Sequence, residues 1–280
     1  MTSPAGPAHG PGPADLPRAA WLPAAPAGQA PVTKHAEPAM GTVFSFTAVH
    51  GALPPDAVRA AVAAACRVLH HCDALFSTWD AASPVSRFRR GEAVLGETPP
   101  EFGAVLRACR AAKEASGGWF DPWAMPGGFD PTGLVKGWAT ERALDELRGA
   151  GLPGVLINGG GDVAAFGSPG TGQRWRVGIR HPWRADALAC IVEIDAAVAT
   201  SGGYERGPHL IDPGTGRPAA RAASATVIGP SLALADALAT GVAVGGDAAL
   251  AFVAGLPGYS GYLIRPDGSE ADTGGIDFVQ

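Results

Sequence analysis

Long apolar runs are missing from this chain of 280 residues. No stretch approaches the roughly 18 consecutive apolar residues that a membrane-spanning helix requires. Basic charge is also scarce: the net charge is -5, which gives no electrostatic footprint for nucleic acid. Cysteine is sparse, with Cys66, Cys72, Cys109 and Cys190 lacking both the paired spacing of a zinc finger and the density of a disulfide framework. Free thiols in a reducing compartment are the expectation, and with them a cytoplasmic location. There is no G-x-S-x-G elbow and no Walker motif, so serine-hydrolase and nucleoside-triphosphatase readings gain no support.

What is abundant is small. The chain has 40 glycines and 26 prolines, is 46% hydrophobic and only 17% charged. Many of the prolines fall in residues 1–38, a Pro/Ala/Gly-rich stretch with few core-forming side chains, which reads as a disordered leader. It lacks the charged start and continuous apolar segment of a secretory signal. Residues 39–280 read as one folded domain of mixed α/β, that is α+β, character.

Within that domain "MGTVFSFTAV" reads as a strand, and "PPDAVRAAVAAACRVLHHCDALFS" and "PPEFGAVLRACRAAKEASGG" read as helices. "FSTWDAASPVSRFRRG" reads as a polar loop or short helical turn, and a third helix starts near Thr132. "GVLINGGGDVAAFG" is a strand, a glycine turn and a strand. Further strands follow in "RWRVGIRHP", "ACIVEIDAAVATSG", "PHLIDPGTGRP" and "ASATVIG". A fourth helix is "SLALADALATGVAVGG", and "GYSGYLIRPDGS" reads as a hairpin.

Four places carry possible chemistry. On the fourth helix Asp236 and Thr240 lie one turn apart on one face. The acid caps a helix, pairs with an arginine such as Arg221, or joins the threonine hydroxyl as an oxygen ligand of a hard cation such as magnesium. In "FDPTGLVKGWA" a helix N-terminus with a lysine one turn inside suits an anion, which makes Lys136 a candidate for a phosphate or flavin contact against the plainer reading of a solvated lysine. "NGGGDVAAFG" either lets a ligand approach the backbone or is a tight turn; strand follows it, so it is no dinucleotide fingerprint. In "TSGGYERGPHLIDPGTGRP", His209 is a general base or a structural histidine, with Asp212 close behind.

Taken in order, "MGT", "FSTWD…SPVSRF", "GWFDPW", "FDPTGLVKGWATERAL", "LINGGGDVAAFG", "TSGGYER", "HLIDPGTGRP" and "ADALATG" resemble the FAD:protein FMN transferases, the ApbE family. The resemblance covers nearly everything from Met40 to about Gly245. It implies a single catalytic domain of T-fold-like architecture that takes FAD as substrate and Mg²⁺ as cofactor. It also implies transfer of FMN to a Thr or Ser hydroxyl of an acceptor protein, with release of AMP.

By the same resemblance Met40, Trp79, Trp119, Phe120, Asp121, Asp130, Lys136 and Ile211 line the FAD pocket. Asp236, Thr240 and the main-chain oxygen of Gly133 hold the metal. His209 is the base, and Asp212 fixes its ring. Many relatives carry tyrosine at the position of Trp79 and a longer segment where this chain has "PWAMPGG". Relatives are often exported lipoproteins; the first cysteine here, Cys66, lies inside a helical stretch and offers no lipobox. A hydrolase releasing free FMN, and a flavin-binding protein without turnover, are the alternative activities.

Overall fold

The computed structural model describes residues 31–170, 172–203 and 210–279. Its centre is an eight-stranded sheet, antiparallel at every pairing, in the order β1 (Val32–Ala39), β2 (Thr42–Val49), β3 (Gly154–Gly159), β4 (Asp162–Gly167), β7 (Ala197–Ser201), β10 (Ser224–Gly229), β11 (Ser260–Ile264) and β12 (Glu270–Asp272). A ribbon of β5 (Trp175–His181) and β6 (Arg184–Ile194) and a short pair, β8 (Ile211–Asp212) with β9 (Arg217–Pro218), stand apart from it. The helices are α1 (Pro55–Phe76), α2 (Pro84–Arg89), α3 (Pro100–Ala115), α4 (Thr132–Gly149), α5 (Leu232–Gly245) and α6 (Asp247–Ala254).

The two-residue period of the strands divides the interior. Ala164, Ala197 and Ala199 point into a core shared with α1, α3, α4 and α5. Their neighbours Val163, Ala165 and Val198 point the opposite way, against Trp175, Ile179, Val192 and Ile194 of the ribbon. The sheet therefore carries a helical layer on one face and a β-ribbon on the other, which is the mixed α/β arrangement expected.

Two hairpin turns position the site. Register pairs Ala39 with Thr42, so Met40 and Gly41 are the loop, at φ +51° and +70°. Both angles are those of a type I′ turn, an unusual choice for methionine. The Met40 N–H is held by Asp73 Oδ2 at 2.9 Å. At the second turn Gly159 pairs with Asp162, leaving Gly160 and Gly161 at φ +67° and +106°. A Cβ on Gly159 would stand 2.5 Å from the Phe44 ring, so this glycine is fixed by packing.

Two elements depart from the sequence expectation. Residues 32–38 are not part of a disordered stretch: Val32–Ala39 is a strand, at the edge of the sheet among the described residues, and its charged side chains suit that place. The short helical turn expected after α1 is present as α2, capped by Ser83 Oγ accepting from Ser86 N at 3.1 Å. A sixth helix, α6, follows the break at Gly246, where φ is +60°.

Candidate active site

Helix α5 is apolar and almost wholly buried, and the few polar groups on it define the site. Its N-terminus is satisfied from two directions. Ser231 Oγ accepts from Leu234 N at 3.3 Å, and the Glu141 carboxylate of α4 accepts from the N–H groups of Leu232 and Ala233. Burial pushes the Glu141 carboxyl above its ordinary range, and those hydrogen bonds oppose the shift. The cap is thus supplied without Asp236, which sits one turn inside the helix and is 4% exposed.

Nor does Arg221 pair with Asp236. Its Nη2 lies 3.3 Å from Asp212 Oδ2, and its guanidinium sits 5.1 Å from the Trp119 ring centroid. Asp236 is thus neither the cap of α5 nor the partner of Arg221.

Thr240, one turn after Asp236, meets two other segments. Its Oγ1 is 3.3 Å from Ser201 Oγ at the end of β7. A Cβ built on Gly133, in the first turn of α4, would stand 3.5 Å from the same Oγ1 and 3.1 Å from the Phe120 ring. The absence of a side chain at Gly133 leaves that space open beside the Thr240 hydroxyl.

Lys136 is one turn further along α4. It is ion-paired with Asp162, the first residue of β4, with side chains 20% and 2% exposed respectively. Asp162 Oδ1 also accepts from Thr200 N at 3.0 Å, and Thr200 Oγ1 is 2.9 Å from Thr226 Oγ1. Two polar groups meet at the end of β7: Lys136 with Asp162 through the Thr200 N–H, and Thr240 through the Ser201 hydroxyl. Together they join four of the motif segments, and the ion pair excludes the solvated-surface reading of Lys136. Asp162 is the member that sequence reasoning missed; its signal was the acid directly after the glycine turn.

The remaining residues expected along the flavin pocket lie on four segments: Trp119 to Asp121, Asp130, Trp79 and Ile211. Phe120 is buried beside Gly133, with its N–H donating to Ser116 Oγ at 3.0 Å. Trp119 packs on α5, where a Cβ on Gly245 would stand 2.6 Å from its ring. Asp121 and Asp130 bracket the short "PWAMPGG" loop. Asp121 pairs with Lys113 at 2.7 Å and accepts from Trp123 N at 3.0 Å; Asp130 accepts from Thr132 N at 3.1 Å.

Arg89 ties that loop down by donating to the carbonyls of Pro126 (2.8 Å) and Gly127 (3.3 Å), with its Nη1 3.5 Å from Asp130 Oδ2. Trp79 is 96% exposed on a loop whose backbone is held by Ser83 Oγ donating to Ser77 O at 2.6 Å. A tryptophan presented to solvent from a tethered loop is available for stacking.

Ile211 is half-buried in β8. Asp212 is 6% exposed; its carboxylate accepts from Gly214 N at 2.9 Å and pairs with Arg221, so it organises the turn into β9. His209, with residues 204–208, lies outside the described residues.

Chemically, the ligands expected for the metal are all oxygens: the Asp236 carboxylate, the Thr240 hydroxyl and the Gly133 main-chain carbonyl. Such a set suits a hard cation such as Mg²⁺.

The sequence profile of the ApbE family matches residues 40–128 and 123–263. The chain belongs to the ApbE family. Relatives named FAD:protein FMN transferase include one from Vibrio cholerae, 35% identical over 129 residues, which cover 42% of this chain and 39% of the relative. Another, from Escherichia coli strain K12, is 32% identical over 155 residues, covering 51% of this chain and 44% of the relative. The aligned stretches thus span less than half the length of these ApbE relatives.

Among solved structures, the flavin transferase ApbE from Vibrio cholerae superposes with a TM-score of 0.74 at 21% identity, covering 89% of this chain and 97% of the other. The ApbE protein from Thermotoga maritima gives 0.74 at 22%, covering 86% and 96%. At that identity the superpositions establish the ApbE fold.

Proposed function

We propose that this chain is a flavin transferase. It takes FAD, moves the FMN moiety onto a Thr or Ser hydroxyl of an acceptor protein, and releases AMP. The observation that carries this reading is that adjacent residues of β7 receive both groups: Asp162, paired with Lys136, at the Thr200 N–H, and Thr240, beside Gly133, at the Ser201 hydroxyl. Family membership and the names of the relatives support the same activity.

In this reading Asp236, Thr240 and the Gly133 carbonyl hold a magnesium ion. When bound, the ion supplies charge neutralisation at the pyrophosphate oxygens. Lys136, fixed by Asp162, contributes a second positive charge on the phosphate side. Trp79, Phe120 and Met40 position the ring system, while Trp119 backs the pocket against α5.

His209 accepts the proton of the acceptor hydroxyl as that oxygen forms a bond to the FMN-side phosphorus. The P–O–P bridge breaks on the other side, and AMP departs with the bridging oxygen. Positioning and electrostatics supply most of the acceleration, as in other phosphoryl transfers. Asp212, bound to Arg221 and to its own turn, holds the segment that follows His209. The four free thiols support action in the cytoplasm. Among the described residues no helix is long and apolar enough to cross a membrane.

The short loop between Asp121 and Asp130 favours a second reading, in which water replaces the acceptor and free FMN is released. Mass spectrometry separates the two. A candidate acceptor incubated with the protein, FAD and Mg²⁺ gains a covalent FMN mass on a Thr or Ser peptide if transfer is correct. AMP and free FMN without any modified peptide refute transfer and leave hydrolysis.

A further inference from the structure

Between edge strand β1 and helix α1 lies a group of side chains that the flavin site does not use. His35 and Glu37 are two apart on β1 and so share a face. Cys66 and His70 are four apart on α1 and lie one turn apart on one side. The two pairs meet: His35 Nε2 is 2.9 Å from Glu37 Oε2, and His70 Nε2 is 2.7 Å from Glu37 Oε1. Ligand atoms of His35, Glu37 and Cys66 lie within 4.8 Å of one another.

We propose that His35, Glu37 and Cys66 bind a first-row transition-metal dication, zinc above the others, and that His70 orients the carboxylate from its second oxygen. An imidazole nitrogen, a carboxylate oxygen and a thiolate sulfur form a borderline-to-soft donor set, unlike the oxygens gathered around Thr240. The two sites therefore select different cations. In a zinc tetrahedron with the usual bond lengths the donors stand about 3.3–3.7 Å apart; here His35 and Glu37 stand 2.9 Å apart and all three ligand atoms lie within 4.8 Å of one another.

The His35 side chain is 40% exposed, so solvent reaches the group from that side. Cys66 is 7% exposed. A metal there binds the thiolate, so binding displaces the thiol proton to solvent. The bound ion would clip an edge strand, paired on one side only, to the helix whose Asp73 also holds the Met40 turn.

The test uses the full chain without a tag, stripped with chelator and titrated with Co²⁺ as the spectroscopic probe. One equivalent is expected to produce a thiolate-to-cobalt charge-transfer band in the near ultraviolet, with the intense visible absorption of tetrahedral cobalt. Zn²⁺ is expected to displace it. C66S is expected to lose the charge-transfer band. H70A is expected to keep it while the affinity falls about 10–100-fold, the usual effect of losing a carboxylate's outer partner.

Should C66S fail to fold by circular dichroism, H35A, altered at an exposed side chain, is expected to abolish stoichiometric binding. Cobalt at the oxygen site of α5 gives no thiolate band, so the two sites are read separately. The proposal is overturned if wild type shows no thiolate band at one equivalent, if folded C66S retains it, or if H35A binds as tightly as wild type.

Discussion

Removing Lys136 should damage this protein more than removing its partner Asp162, and the structure gives both the reason and the size. The Asp162 carboxylate is 2% exposed, whereas the Lys136 side chain is 20% exposed and can turn toward water. In K136M the buried carboxylate keeps the Thr200 N–H as its remaining partner among the described residues. Stranding one charge of a buried pair costs about 3–5 kcal/mol, and the partial exposure of Lys136 argues for the lower end, about 3 kcal/mol. That corresponds to a fall in melting temperature of about 6–12 °C in a domain of this size.

In D162N the amide oxygen still accepts from Thr200 N, and the ammonium reaches solvent, so the cost is about 1–2 kcal/mol. The double variant K136M/D162N removes both charges of this pair and should be more stable than K136M alone, with a coupling of at least about 1 kcal/mol. AMP release should be lost in K136M and should not return in the double variant. Thermal unfolding followed by circular dichroism, together with a chromatographic assay for AMP, reads all three. Equal and additive losses, or D162N as the worse of the two single changes, would refute a coupled pair in which the buried member is the acid.

Three further outcomes follow from the geometry. Because burial raises the Glu141 carboxyl above its ordinary value of 4.5, the folded state holds that proton more tightly than the unfolded chain. The stability this group contributes is present below 4.5 and lost as pH rises through the raised value; the melting temperature of wild type minus E141Q should therefore fall with rising pH, and a rising difference contradicts the burial argument. G245A would gain up to about 1 kcal/mol of helix propensity but places a methyl 2.6 Å from the Trp119 ring and 2.7 Å from Ala249 Cβ, so a net loss of about 1–3 kcal/mol is expected in thermal unfolding, and a stabilised variant contradicts that packing. W79A should change stability by less than about 0.5 kcal/mol and weaken FAD binding by about 1–3 kcal/mol, measured by fluorescence titration; unchanged affinity removes Trp79 from the pocket.

Much of the architecture was legible because it rests on local signals. The start of α4 at Thr132 follows from the proline before it and the apolar period after it, and α5 from its Ala/Leu/Val run behind Ser231. The shared face of Asp236 and Thr240 follows from helical spacing alone. Strand β1 was not legible: its proline, its charges and its mostly exposed side chains blend into the Pro-rich stretch before it, and only pairing with β2 makes it a strand.

Partners were less legible than positions. That Lys136 meets Asp162, that Arg221 serves Asp212 and Trp119, and that Glu141 caps a helix other than its own are tertiary facts. They join residues 26, 9 and 91 positions apart, distances at which no periodicity speaks.

In the proposed mechanism a divalent ion sits against Asp236 and Thr240 on α5, next to the pyrophosphate of FAD. The most direct measurement is an anomalous difference map from crystals soaked with FAD and Mn²⁺. It should show a peak touching the Asp236 carboxylate and the Thr240 hydroxyl, with the Gly133 carbonyl turned toward it. A fully occupied FAD with no peak at those two side chains would contradict the account.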